Sequence, residues 1–411
     1  MSLTCPAFAQ DYSGQKLNWL VTQPRIGAAT KLKEMFEAMT GATIELTAIP
    51  YDASESQATL DVSSGANQYD MIDYWYASIG AMAENGIMVD ITDKIEAEKD
   101  YIQPEDFLEP FSDIYMEYGG RRYGLPWDGD AHVLFYNQEL LDANGFGVPT
   151  TWDEYYDATK GITEAGKADG KYGAVIMGVN IPVALGSGFV NRVAGYQGRL
   201  LTKDNQSALL EDIQLICAQQ LEKVVPYCFP TPAEVGFENG IPAFLGGNAA
   251  MIEFWTDLGI HAENDPNSAI AGKWGVTSLP VGVAGQKPRA ALNAGWGLGI
   301  STGSQNQDLA WEFIKWATSP AVQLEVSSTP GTFSDPVRES VMTSKEYTVF
   351  APKVAEAQIA ASKDFMPWPK IPESPQLMRI LTDELAKMMA GQQNYQETME
   401  VTDRQWKRLL G

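Results

Sequence analysis

Residues 123–137 read YGLPWDGDAHVLFYN. Two carboxylates, Asp128 and Asp130, stand beside Trp127 and just ahead of the apolar run Val133-Leu134-Phe135-Tyr136. A short apolar run of this kind enters a buried strand. Acids at its mouth are either a polar connector or groups that face a cleft. The sequence on either side decides between them.

Upstream, strand and helix alternate. KLNWLVTQ (16–23) is a short apolar strand ending in polar residues, and Leu32, Met35, Phe36 and Met39 then follow helical spacing until Gly41 stops the helix. TIELTAI (43–49) and YDMIDYWY (69–76) read as strands, and Ile79, Met82 and Ala83 open a helix ended by Gly86. This βαβ rhythm predicts an α/β fold whose sheet is mostly parallel and flanked by helices.

Downstream the rhythm restarts. Thr151 and Glu154 form a capping box ahead of a helix. YGAVIMG is a strand, a long helix is expected over 202–225, and AAMIEFW, WGVTSLPV and GWGLGIS are further strands. Leu309, Phe313 and Trp316 mark one face of a helix ending near Pro320, and two amphipathic helices close the chain. A chain of 411 residues exceeds what one hydrophobic core usually serves, so two α/β domains are the default. No repeat or low-complexity linker separates them, which favours several short crossings.

Charge and composition narrow the function. Lys+Arg 29 against Asp+Glu 53 gives a formal charge of -24, and no basic cluster offers the footprint that nucleic acid or an anionic membrane needs. No apolar stretch approaches the ~18 residues of a membrane span. Ala7-Phe8-Ala9 before Gln10 has the small-x-small form of a signal-peptidase site, so export with cleavage near Ala9-Gln10 is expected and 1–9 reads as a signal remnant. Cys5 would leave with it. Cys217 and Cys228 would remain, an even pair compatible with a disulfide or with two separately buried thiols. With His132 and His261 as the only histidines, a histidine-rich metal site is excluded, and no cofactor is expected.

Ligands of open α/β sheets bind where loops converge at the carboxyl ends of strands. Those ends carry Gln23 and Arg25; Asp73, Tyr74 and Trp75; Trp127, Asp128, Asp130 and His132; Trp255; and, before GLGIS, Asn293 and Trp296. Nearly every end offers a ring beside an amide or carboxylate. Sugars present apolar C–H faces for rings and hydroxyls for carboxylates, whose charge-assisted bonds are strong. Each aromatic taken singly fits a core role better than a ligand contact, and their co-occurrence carries the reading.

Catalysis is disfavoured. Asp128 and Asp130 on an extended segment would share a face roughly 7 Å apart, near the spacing of glycosidase carboxylates. Hydrolysis needs acids on opposite sides of the bond, however, and neighbours on one strand point the same way. No G-x-S-x-G elbow or phosphate loop is present.

With these residues in place, the chain resembles the extracellular solute-binding proteins of bacterial ABC transporters, in the sugar-binding family that includes maltodextrin-binding proteins. The likeness runs from about Lys16 to the C-terminus. It rests on YDMIDYWYASIGAMAENGIMVDIT, on YGLPWDGDAHVLFYNQELLDANGFGVPTTWDEYYDATKGI, on AFLGGNAAMIEFW, on AGWGLGISTGSQNQDLAWEFIKWATSP and on PWPKIPESPQLMRILTDELAKMMAG.

The resemblance implies a two-lobed periplasmic-binding-protein fold that closes like jaws on a solute. Lobe 1 would be 10–128 and 289–331, and lobe 2 would be 129–288 and 332–411. PWDGD would be the first hinge crossing, with Gly129 letting the backbone turn. The resemblance also implies sugar contact at Asp130, ring stacking at Trp296, and further contacts at Trp255 and around Trp75. GTFSDPVRESV resembles a loop re-entering the cleft, which adds Thr332. Histidine at 132 departs from the small polar residue or Arg common there, leaving room for a different solute.

The expectation is therefore a periplasmic, monomeric, non-enzymatic binder of a small carbohydrate or sugar alcohol. It would bind in the interlobe cleft and deliver the solute to ABC permease subunits, without nucleic-acid partners. A polyamine or other polar solute, and less so a glycan-active enzyme, are the alternatives.

Overall fold

The computed structural model describes residues 11–292 and 295–411. Cys5, the Ala7-Phe8-Ala9 site, Gln10 and Asn293 lie outside them. The described residues form two compact units: unit 1 takes 11–130, 295–355 and 370–374, and unit 2 takes 131–292, 356–369 and 375–411.

Unit 1 is built on a five-stranded sheet in the order Thr43–Ile49, Lys16–Thr22, Met71–Trp75, Trp296–Ile300, Gly124–Asp128. The first three strands run parallel, and Trp296–Ile300 is antiparallel to both neighbours. Helix Ile26–Thr40 buries Leu32 and Phe36 and ends at Gly41, whose φ of 72° suits a residue without Cβ. Beneath the sheet Trp19 meets Trp127 edge-on at 5.3 Å and Phe313 at 5.4 Å, and Phe36 joins them. The register places Trp75, Trp296 and Asp128 side by side on one rung at the sheet's end. That rung positions the candidate site.

Unit 2 has a four-stranded sheet in the order Trp274–Thr277, His132–Asn137, Ala249–Trp255, Tyr172–Val175. Only its last pairing is parallel. The α/β class holds, but both sheets are mixed where mostly parallel strands were expected, because an apolar run reports burial and carries no direction. The Thr151/Glu154 capping box forms as read and starts helix Trp152–Gly166. The helix expected over 202–225 begins only at Asp212. Before it, Leu201 bridges Ser207 around Asn205, whose φ is 55°, a turn that Asn tolerates. Cys217 and Cys228 are free and separately buried, so no disulfide joins them. Among the described residues no helix is long and apolar enough to cross a membrane.

Gly129 does not have a left-handed φ. A Cβ there would come within 2.7 Å of Val337 and 2.9 Å of Phe111, so its glycine serves close packing. Residues 332–355, expected in the second lobe, belong to unit 1. Arg338 is the physical reason: it is buried over the Phe107 ring at 3.9 Å. It donates to the carbonyls of Ile102 (2.8 Å), Gln103 (3.2 Å) and Thr318 (2.5 Å) and to Asp106 (3.2 Å).

Replacing Arg338 by Leu would strand all these acceptors. Urea unfolding of Arg338→Leu is expected to show a loss of about 3–5 kcal/mol. A loss below about 1 kcal/mol would mean that the segment is anchored elsewhere.

Candidate functional site

Unit 1 gathers its polar and aromatic groups at the Trp75–Trp296–Asp128 rung. Arg25, in the 3-10 turn Gln23–Arg25 after the first strand, is 4% exposed and forms an ion pair with Asp128 Oδ2. Asp128 Oδ1 accepts the Asp335 N–H at 2.9 Å, so both its oxygens are engaged in holding the fold. Asp130, equally buried, has Oδ2 4.0 Å from the same guanidinium. Tyr51 meets the indole of Trp296 edge-on, with centroids 5.0 Å apart. Tyr76 stacks on Tyr115 at 5.3 Å and 12°, and Trp75 meets Tyr76 edge-on at 6.1 Å.

The electrostatics follow from burial. Desolvation, then the negative charge of Asp130, pushes the Tyr51 hydroxyl well above its ordinary value, with Arg25 opposing. Tyr115 is raised likewise, by burial and then by Tyr76 and Asp130. Both phenols stay protonated and able to donate. Gly295, with φ 109°, lies so close to Tyr115 that a Cβ would fall 1.7 Å from its hydroxyl. This approach requires glycine.

Several residues expected in the site serve the interior instead. Asp73 accepts from the Thr22 N–H (3.1 Å) and hydroxyl (2.8 Å) and from Trp127 Nε1–H (2.9 Å). Burial pushes its carboxyl up to about 7 against those three bonds. Trp127 is therefore a core indole. The Tyr74 hydroxyl donates to the Tyr115 carbonyl at 2.6 Å. Thr332 donates to the carbonyls of Val326 and Thr329, at 2.9 and 2.8 Å, closing a turn. Gln23 is exposed.

Unit 2 has its own cluster. His132 and Trp255 are register partners, with rings edge-on at 4.5 Å, and Phe237 stacks on Trp255 at 5.4 Å and 21°. Glu253, on the same strand face, accepts from Asn191 Nδ2 at 2.8 Å and pairs with Arg192 at 3.1 Å. Arg192 lies over Trp152 at 4.3 Å. Burial lowers His132 to about 3, with its bond to Asn191 opposing.

Tyr51, Tyr115, Asn191 and Glu253 were missed from sequence. Tyr51 follows strand Thr43–Ile49 after Pro50, so the strand-end rule reaches it. Tyr115, Asn191 and Glu253 lie inside helices or a strand and carry no such signal.

Residues 23–324 match the family model of the bacterial extracellular solute-binding proteins. The chain belongs to that family. A probable amino-acid ABC transporter periplasmic-binding protein of Sinorhizobium fredii is 23% identical, with 93% of this chain and 88% of that protein aligned. The erythritol/L-threitol-binding protein of Mycolicibacterium smegmatis is 22% identical over 80% of this chain and 72% of its own. An ABC-transporter solute-binding protein of Agrobacterium radiobacter K84, solved with ribitol, superposes with a TM-score of 0.88 at 26% identity, covering 97% of this chain and 100% of that one.

His132 gives unit 2 a pH dependence. Its folded value of about 3 lies below the ordinary 6.5. The stability it contributes is therefore full above pH 6.5 and is lost as pH falls through that window toward 3. Urea melts between pH 7 and 4 should show wild type weakening faster than His132→Gln, by up to ~1.4 kcal/mol per pH unit. His261, lowered by burial to about 4, supplies a slope common to both proteins. Equal slopes would show that His132 titrates normally.

Proposed function

We propose that this protein is the solute-binding component of an ABC importer, and that it captures a small carbohydrate or sugar alcohol and passes it to membrane permease subunits. The observation that carries the reading is the unit 1 cluster. There a buried carboxylate, Asp130, stands 4.0 Å from Arg25, and the same guanidinium acts on Tyr51, which packs against Trp296. Carboxylate, guanidinium and phenol supply acceptors and donors for hydroxyls, and the rings supply an apolar wall. Family membership supports capture of a solute without turnover. The ribitol-bound and erythritol/threitol-binding relatives support a polyol in particular. Export, loss of a leader near Ala9-Gln10 and a monomeric state belong to the same reading.

A thermal-shift series tests it, with ribitol, erythritol, D-mannitol, maltose, putrescine and glutamate as probes. A ligand at 100 times its Kd adds ~2.7 kcal/mol of stability. A clear rise in Tm with at least one polyol or sugar is expected, as is its loss in a folded Asp130→Ala variant. A shift with putrescine or glutamate alone would overturn the carbohydrate reading. An unchanged shift in Asp130→Ala would reduce that carboxylate to a structural role.

A further inference from the structure

Unit 2 contains a polar chain that solute capture by the unit 1 cluster leaves unexplained. Arg192 grips Glu253 with both Nη atoms, at 3.3 Å to Oε2 and 3.1 Å to Oε1, and donates to the Gly188 carbonyl at 2.5 Å. Glu253 Oε2 in turn accepts Asn191 Nδ2–H at 2.8 Å. Asn191 then reaches His132 Nδ1, with Oδ1 at 3.1 Å and Nδ2 at 3.0 Å. The four side chains are at most 8% exposed. Next to them lies a small cavity of about 10 Å³, room for one hydroxyl-sized group, lined by His132, Asn191, Glu253, Trp255, Val175 and Met177 among others. The indole N–H of Trp255 is buried and has no hydrogen-bond partner among the described residues.

Glu253 decides what Asn191 offers. An anionic partner pulling on Nδ2 polarises the amide and concentrates negative charge on Oδ1, as in any cooperative hydrogen-bond chain. Oδ1 then becomes the better partner for Nδ1, and accepts from it. The imidazole proton goes to Nδ1 and Nε2 keeps its lone pair. A hydroxyl both donates and accepts, so an imidazole acceptor beside an indole donor matches one hydroxyl with complementary polarity.

We propose that Arg192, Glu253 and Asn191 are positioning residues that hold His132 as its Nδ1–H tautomer, so that His132 and Trp255 together read one hydroxyl of a polyol or sugar in the unit 2 cavity. The hydroxyl-reading half of this rests on the carbohydrate function above; the tautomer half does not. A solute carrying a methylene where that hydroxyl sits would leave the buried Trp255 indole N–H without an acceptor and be rejected.

Long-range ¹H–¹⁵N NMR of the histidine rings tests the two halves separately. The chain has two histidines, and His261→Gln assigns them. The expected spectrum shows a protonated Nδ1 and an unprotonated Nε2 on His132 at pH 7. Asn191→Leu, or Glu253→Gln if the former fails to fold, should lose that tautomer. A protonated Nε2 in wild type, or no change in either variant, would overturn the relay.

For the ligand half, ribitol and D-mannitol are titrated by calorimetry and NMR. Binding should move His132 Nε2 and the Trp255 indole N–H together, and the tautomer-losing variant should bind about tenfold more weakly, the worth of one hydrogen bond. Binding that moves neither signal would overturn the hydroxyl reading. Absence of binding to both polyols, with the tautomer as stated, would overturn the polyol reading of the solute while supporting the relay.

Discussion

The ion pair between Arg25 and Asp128 is the constraint on which the arrangement of unit 1 depends. Asp128 closes strand Gly124–Asp128, Arg25 sits in the turn after Lys16–Thr22, and the second oxygen of the carboxylate holds the backbone of Asp335. One carboxylate thus ties together three segments distant in sequence. Both charges are nearly fully buried. Such a pair adds little net stability over a hydrophobic substitute, yet removing one partner costs about 3–5 kcal/mol because the other charge is stranded. The pair therefore fixes position more than it stabilises. What it fixes is the guanidinium, 4.0 Å from Asp130 and within the field of Tyr51.

From that point the two acids of the PWDGD stretch divide their work. Asp128 holds the fold, and Asp130 presents a carboxylate in a dry, aromatic setting where charge-assisted hydrogen bonds are strong. Unit 2 follows the same logic with different groups. Its ion pair, Arg192 with Glu253, is also buried and also orients a neighbour, in this case Asn191 and through it His132. In each unit a buried charge pair is spent on orientation.

Much of this was legible in the sequence because burial leaves a periodic trace. Strands TIELTAI and AAMIEFW, the helix stopped by Gly41 and the Thr151/Glu154 box all form where their patterns put them. Strand direction left no trace, so the sheets proved mixed. The late start of helix Asp212–Val224 turned on a left-handed Asn205 that apolar spacing does not register. Among the candidate site residues, Arg25, Asp130, Trp75, Trp296, His132 and Trp255 fall into clusters. Trp127, Tyr74 and Asp73 share the same strand-end positions, but their side chains turn inward and bond to the fold. Strand-end position locates a backbone; the tertiary partners on each face decide which side chain bonds to the fold. Tyr115, Asn191 and Glu253 were invisible because their roles come from tertiary packing alone.

The central claim is that Asp130 and the Tyr51–Trp296 pair receive a hydroxyl-bearing solute. A crystal structure of the protein grown with ribitol, or with whichever sugar raises its Tm, tests this most directly. The account predicts solute hydroxyls at hydrogen-bond distance from the Asp130 carboxylate and a C–H face of the solute against the Trp296 ring. A solute bound elsewhere, with the Asp130 carboxylate making no contact to it, would contradict the account.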